Sequence, residues 1–254
     1  MQQIDINCDM GESYGRYQVG NDAAIFPFIT SCNIACGFHG GDPLTIEKTI
    51  RGALSHGVQI GAHPGFPDLS GFGRRQMHIP EDELEALVKY QVAALKGMTE
   101  GLGGKLTYVK PHGALYNMAA DNPEITMAIM AGVHAIDPNL VLMGMAGSVM
   151  QKIAISHGVP FIAEAFADRM YTNDGRLMSR ALPGSVIDDA ELAARQVISI
   201  IKDQCVTSHE GAKIVLTASS ICIHGDNPGA LQILQAIDVA LVENNISKQS
   251  FALA

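Results

Sequence analysis

Short apolar runs alternate with longer amphipathic ones along the chain, and polar turns rich in glycine separate them. The short runs predict strands over 4–9, 31–36, 59–63, 106–110, 140–145, 160–165 and 213–223, the last long enough to contain a bend. The longer runs predict helices. Over 80–102, Leu84, Leu87, Val88, Val92, Leu95 and Met98 recur at helical spacing, with Glu81, Glu85 and Lys89 on the other face. Over 188–202, Ala190, Ala194, Val197 and Ile201 do the same. Asp42-Pro43, Asn122-Pro123 and Asn227-Pro228 each put a capping side chain before a proline suited to the first helical position, and Gly103-Gly104 is a natural stop after 80–102.

Strand and helix in alternation imply parallel strands joined by right-handed crossovers. About seven strands suit either a barrel one short of eight or an open doubly wound sheet. The first strand favours the barrel: Asp5, Asn7 and Asp9 share one face, Ile4, Ile6 and Cys8 the other. An open parallel sheet buries both faces and reads as nearly all apolar, whereas a barrel lumen accepts a polar column. The expectation is an α/β chain folded as one TIM-like β/α-barrel domain over residues 1–254, with a flexible tail after about residue 245.

Composition narrows the partners. Hydrophobic residues make up 47% and charged residues 17%, a globular balance. The net charge of −9 argues against nucleic acid and leaves a small molecule or a protein. No secretory leader and no apolar stretch of membrane length is visible, so no membrane partner is expected. Five cysteines without paired spacing suit a reducing compartment, hence the cytoplasm.

Polar residues cluster where the predicted strands end, which is where loops converge on a ligand in parallel α/β folds. The first strand runs Asp5-Ile-Asn7-Cys-Asp9-Met-Gly11-Glu12 and the second runs through Asn33 and Cys36-Gly37-Phe-His39 to Asp42. Later strand ends carry His63-Pro64-Gly65, Lys110-Pro111-His112-Gly113, Glu164 with Asp168-Arg169, and His224-Gly225-Asp226. One histidine at a strand end is more often structural, but four together, His39, His63, His112 and His224, point to a site. His56, His134 and His157 read instead as partners of helix C-termini. The Asp5, Asn7 and Asp9 column could be a satisfied buried network. Burying its carboxylates is costly, so Lys110, a histidine or a metal is expected opposite.

Cys32 and Cys36 read as core thiols. Most arginines of the loops 64–79 and 166–184, among them Arg74, Arg75, Arg176 and Arg180, read as solvated charge on a lid or docking surface. Arg169, directly after a strand, is the exception. Gly101-Leu-Gly-Gly-Lys105 lacks the glycine spacing and the hydroxyl of a phosphate loop, and no dinucleotide fingerprint or nucleophile elbow is present.

The blocks Asp5-Ile-Asn7-Cys-Asp9-Met-Gly11-Glu12, Asn33-Ile-Ala-Cys-Gly-Phe-His-Gly-Gly-Asp42, Gly61-Ala-His-Pro-Gly65, Val109-Lys-Pro-His-Gly-Ala-Leu-Tyr116 and Cys222-Ile-His-Gly-Asp226 resemble the LamB/YcsF family over essentially the whole chain. The resemblance implies a seven-stranded barrel of the glycoside hydrolase/deacetylase type. It also implies ATP-dependent opening of 5-oxo-L-proline to L-glutamate, in which such a chain is the A component of a 5-oxoprolinase and works with separate subunits B and C. ATP, with Mg, would be a co-substrate held through those partners, and no organic prosthetic group is expected.

Under that reading Asp9 or His63 activates water, Lys110 and His112 stabilise charge, and Arg169 clamps the substrate carboxylate, while Asn7, Asn33, His39 and His224 also bind substrate. One rival is a divalent-metal amidohydrolase or deacetylase with Asp9, His39 and His63 as ligands. The other is a non-catalytic lactam-binding subunit.

Overall fold

A computed structural model describes residues 2–251. In chain order the elements are β1 (Gln2–Met10), α1 (Asp22–Ile25), β2 (Ser31–Ala35), α2 (Pro43–His56), β3 (Gln59–His63), α3 (Glu81–Gly101) and β4 (Leu106–Val109). Then come α4 (Gly113–Ala119), α5 (Pro123–His134), β5 (Val141–Met145), α6 (Val149–Ser156), β6 (Phe161–Phe166) and α7 (Ala190–Asp203). The chain continues with β7 (Cys205–Thr207), β8 (Lys213–Val215), β9 (Ser220–His224), α8 (Ala230–Glu243) and β10 (Ile246–Lys248). Strands β1 to β6 pair in sequence, all parallel, and β9 pairs with both β6 and β1. A seven-stranded barrel closes.

The alternation in β1 produces the division it predicted. Ile4, Ile6, Cys8 and Met10 join the apolar core beneath the helices, while Asp5, Asn7 and Asp9 occupy a polar lumen. Helix α3 buries Leu84, Val88, Val92 and Leu95 as its spacing requires, and α7 buries Ala193, Ala194, Val197 and Ile200. Asp42 and Asn122 cap α2 and α5 through their side-chain oxygens. His56 and His157 donate through Nδ1 to carbonyls of their helices' last turns, at 2.9 Å each, as expected.

Three expectations need correction. The run 213–223 is not one bent strand: β8 leaves the barrel and pairs antiparallel with β7, and only β9 belongs to the wall. Val215 is 84% exposed there, a position no barrel strand offers an apolar side chain. Asn227 does not cap α8, because Gly229 stands at that position; its carbonyl Oδ1 instead accepts from the Gly229 amide in the preceding turn. The tail after 245 forms β10, parallel to the start of β1, with Ile246 buried. Phe251 then packs edge-on against Tyr108, ring centres 5.2 Å apart, and residues 252–254 lie outside the described part.

Candidate active site

The barrel register lines up the inward side chains. Asp5 stands beside Ser220, Asn7 beside Ser31 and Cys222, and Asp9 beside Asn33 and His224. Asp5 accepts from Thr30, Ser31 and Ser220, so its carboxylate is held by hydroxyls; burial pushes its pKa up against those bonds. It is a structural member of the lumen.

Asp9 has a different environment. Its Oδ1 accepts from Lys110 Nζ at 2.9 Å and Asn33 Nδ2 at 2.7 Å, and its Oδ2 lies 3.3 Å from His63 Nε2. Burial would raise its pKa, but His63 and Lys110 hold it well below the carboxylate range. Lys110 also pairs with Glu164 at 2.8 Å and donates to Asn7 and Cys222. Burial alone would lower its pKa; the negative charge of Asp9 foremost, with Glu164, keeps it well above its ordinary value. Lys110 is therefore a permanent buried ammonium, and the predicted cation opposite the acidic column is this one.

Asn33 is aimed from behind. Tyr108 donates to its Oδ1 at 2.7 Å, and Tyr108 reaches it by lying across Gly61, where a Cβ would meet the phenol ring at 2.3 Å. Only glycine leaves that space.

His63 and His112 are both fixed through one nitrogen. His63 Nδ1 donates to Lys110 O at 2.7 Å and His112 Nε2 donates to Phe72 O at 2.8 Å. Gly73, at φ +64, gives the loop its close approach to the His112 ring. Gln91 of α3 anchors the same loop by accepting from the Gly65 amide and donating to its carbonyl. His39 stacks on His112, ring centres 3.6 Å apart and planes 3° from parallel, and burial pushes both imidazoles well below their ordinary pKa. Glu12 Oε1 lies 3.2 Å from His39 Nε2 and 3.5 Å from His112 Nδ1; burial, with Asp9 and Asp226, drives its pKa well up.

Above this network opens a cavity of about 440 Å³. Asp9, His63, Lys110, His112, Arg169 and His224 all line it, so six of the predicted site residues meet in one place. Asn7, Asn33 and His39 do not line it. They lie beneath it, hydrogen-bonded to Asp9, Lys110 and Glu12.

Two features escaped the sequence reading. The loop arginines Arg74, Arg176 and Arg180 also line the cavity, although their segments read as surface. Arg74 pairs with Asp226 and Arg176 with Asp121, while Arg169 is buried and donates to the Ser185 and Met178 carbonyls with no carboxylate partner among the described residues. Burial, and then the charge of Arg180, pulls its pKa down to about 10. An unpaired guanidinium beside another is a built site for an anion. The second is the pairing of Asp168, read from the sequence only as a strand-end polar residue, with His224: it accepts from Nδ1 at 2.8 Å and leaves Nε2 for the cavity. His224 keeps Asp168 below its ordinary pKa despite burial. Its position just before Arg169, at a strand end, was the available signal.

Cys32 and Cys36 are free, buried core thiols; burial pushes Cys36 up to about 12. Two groups of side chains bring metal-ligand atoms within 4.8 Å of one another: Glu12, His39, His63 and His112, and Asp9, Cys222 and His224. In the second, Lys110 already contributes a cation 2.9 Å from Asp9 and 3.1 Å from Cys222, so it does not suit a metal. In the first no lysine or arginine intrudes among the described residues.

The profile of the LamB/YcsF family matches residues 4–254. The chain belongs to that family. It is 48% identical over 248 residues to the A subunit of 5-oxoprolinase from Bacillus cereus strain AH187, covering 97% of this chain and 98% of that protein. Among solved structures, a lactam utilization protein from Thermus thermophilus superposes with a TM-score of 0.92 at 42% identity, over 99% of this chain and 100% of that one. The catalytic domain of a peptidoglycan N-acetylglucosamine deacetylase from Eubacterium rectale shares the fold alone, with a TM-score of 0.51 at 10% identity over 99% of this chain and 89% of that one. Among the described residues no helix is long and apolar enough to cross a membrane.

Proposed function

We propose that this chain supplies the ring-opening site of an ATP-dependent 5-oxoprolinase, converting 5-oxo-L-proline, water and ATP into L-glutamate, ADP and phosphate. One observation carries the reading: a single cavity combines an unpaired buried guanidinium, Arg169, with a permanent ammonium, Lys110, and a carboxylate-backed imidazole, His224. That is the equipment for a small anionic amide. The family membership and the names of its relatives agree with it.

A five-membered lactam is a stable amide, and phosphorylating its carbonyl oxygen makes attack by water feasible. ATP, with Mg, is taken by partner subunits B and C, consistent with the missing phosphate loop. Arg169 and Arg180 hold the substrate carboxylate. Lys110, kept charged by Asp9 and Glu164, stabilises negative charge developing at the carbonyl. His224 Nε2 takes the proton of the attacking water and returns it to the ring nitrogen as the C–N bond breaks, with Asp168 holding the tautomer; the γ-glutamyl phosphate so formed is hydrolysed by a second water to L-glutamate and phosphate.

Asp9 and His63 are less suited to that proton transfer. Asp9 Oδ1 is engaged by Lys110 and Asn33, its Oδ2 faces His63 Nε2 at 3.3 Å, and that nitrogen also faces His112 at 3.0 Å. The free nitrogen of His112 likewise faces inward, so the stabilising charge falls to Lys110 alone. Five buried, unpaired cysteines fit a cytoplasmic setting.

Glutamate release from 5-oxo-L-proline, with and without ATP and with and without the partner subunits, tests the reading. Release that needs all components supports it. Release by this chain without ATP makes it an independent amidohydrolase, a rival favoured by the histidine cluster. Lactam binding with full complex activity after changes at Lys110 and His224 makes it a carrier.

A further inference from the structure

The histidines beside Glu12 leave a deficit of positive charge. A carbonyl only accepts, so His63 Nδ1 and His112 Nε2 each carry their ring's hydrogen, and in neutral rings His63 Nε2 and His112 Nδ1 are bare lone pairs. These two face each other at 3.0 Å. The carboxylate of Glu12 lies 3.5 Å from His112 Nδ1, buried, with no lysine or arginine paired to it among the described residues. Around the cluster, Asp9, Glu12 and Glu164 set three carboxylates against the one ammonium of Lys110. A proton on His63 Nε2, which also meets Asp9 Oδ2 at 3.3 Å, removes one of the two excess charges but leaves the contact between Glu12 and His112 Nδ1 unrelieved; a divalent cation removes both.

We propose that His63 Nε2, His112 Nδ1 and the Glu12 carboxylate form a binding site for a divalent transition-metal ion of the zinc class. Separations of 3.0 and 3.5 Å match the edge of roughly 3.3 Å expected between ligand atoms bonded tetrahedrally at about 2.0–2.1 Å. His63 and His112 line the cavity, so the ion is reached from the substrate side. His39 is face-stacked on His112, and two parallel rings do not aim in-plane lone pairs at one point. Its place is behind the ligands, where Nε2 donates to Glu12 at 3.2 Å and orients the carboxylate. Asp9 does not join the four groups whose ligand atoms lie within 4.8 Å of one another, and its Oδ1 is held by Lys110 and Asn33, so the ligand set differs from the Asp9, His39 and His63 trio that the chain suggests by itself. The site does not depend on which amide the cavity receives.

The test is calorimetric titration of chelator-stripped protein with Zn²⁺, with Co²⁺ absorption reporting ligand geometry. The parent binds one equivalent, with a rise in Tm and a four- or five-coordinate cobalt spectrum. Glu12→Gln and His112→Gln weaken binding by more than the roughly 10–100-fold expected of an outer-shell change such as His39→Gln. Asp9→Asn, which alters a neighbour of the ligand His63 and not a ligand, weakens binding no more than His39→Gln does. If His112→Gln does not fold, the Glu12→Gln and Asp9→Asn pair decides. No stoichiometric binding by folded parent, equal binding by Glu12→Gln, or loss with Asp9→Asn in its place overturns the proposal.

Discussion

Replacing Lys110 with methionine keeps the length of the side chain and removes its charge. In the parent, Nζ lies 2.9 Å from Asp9 and 2.8 Å from Glu164, with all three groups buried. Breaking a buried pair from one side costs about 3–5 kcal/mol because the abandoned charge has no solvent to return to. Protonation caps that loss: raising a carboxylate pKa from its ordinary value to neutrality is about three units, hence about 4 kcal/mol. A loss of 4–5 kcal/mol corresponds to a fall in Tm of about 10–15 °C for a domain of this size.

The sign of the pH dependence is a second check. In the variant a buried carboxylate left without its ammonium is driven to the neutral carboxyl, so the deficit is smallest at low pH, where protonation costs least, and grows as pH rises. Thermal unfolding followed by circular dichroism should therefore show a deficit at pH 8 that narrows at pH 5. Adding Asp9→Asn and Glu164→Gln should recover most of the stability without recovering activity. A Lys110→Met deficit under about 1 kcal/mol, or one unchanged across that range, refutes the charge balance drawn for the lumen.

Other consequences can be measured separately. Arg169→Lys should raise KM for 5-oxo-L-proline by about 10–100-fold while Tm moves by less than about 3 °C, since the point charge survives but the planar donor set does not; unchanged kinetics removes Arg169 from the clamp. Asp168→Asn should lower kcat by about 10²–10⁴-fold with little change in KM, because it disturbs the His224 tautomer and not the anion contacts; a loss confined to KM contradicts this. In metal-free protein, His39 is neutral when folded but protonates in the unfolded chain below about pH 6.5, so the unfolded state binds more protons and stability drops as pH falls, by about 1.4 kcal/mol per unit. The His39→Asn variant, compared by urea unfolding between pH 6.5 and 5, should show a slope shallower by that amount. Parallel curves would show that His39 is protonated in the folded state.

Much of the barrel was legible because β1, β2 and β9 alternate polar and apolar residues. The polar column of β1 could face only a lumen, and strand-end histidines could meet only at a mouth. What escaped depends on contacts distant in sequence. The loop bearing Arg169, Arg176 and Arg180 folds over the site because Tyr171 is buried within it and Gln196 of α7 donates to the Phe166, Ala167 and Arg169 carbonyls. No local pattern announces that closure, so cavity-lining arginines read as surface charge. Gln91 was hidden by its place on an apolar helix face. The hairpin of β7 and β8 was absorbed into a neighbouring strand because Ile214 and Val215 have the composition of a barrel strand without its burial.

Whether the groups gathered at the barrel mouth perform the ring opening is decided by the rate of glutamate release from 5-oxo-L-proline and ATP, using the full complex assembled with the parent chain or with its His224→Gln variant of equal Tm. A fall of about 10²–10⁴-fold is the expected result. Parent-like release by His224→Gln would contradict the account.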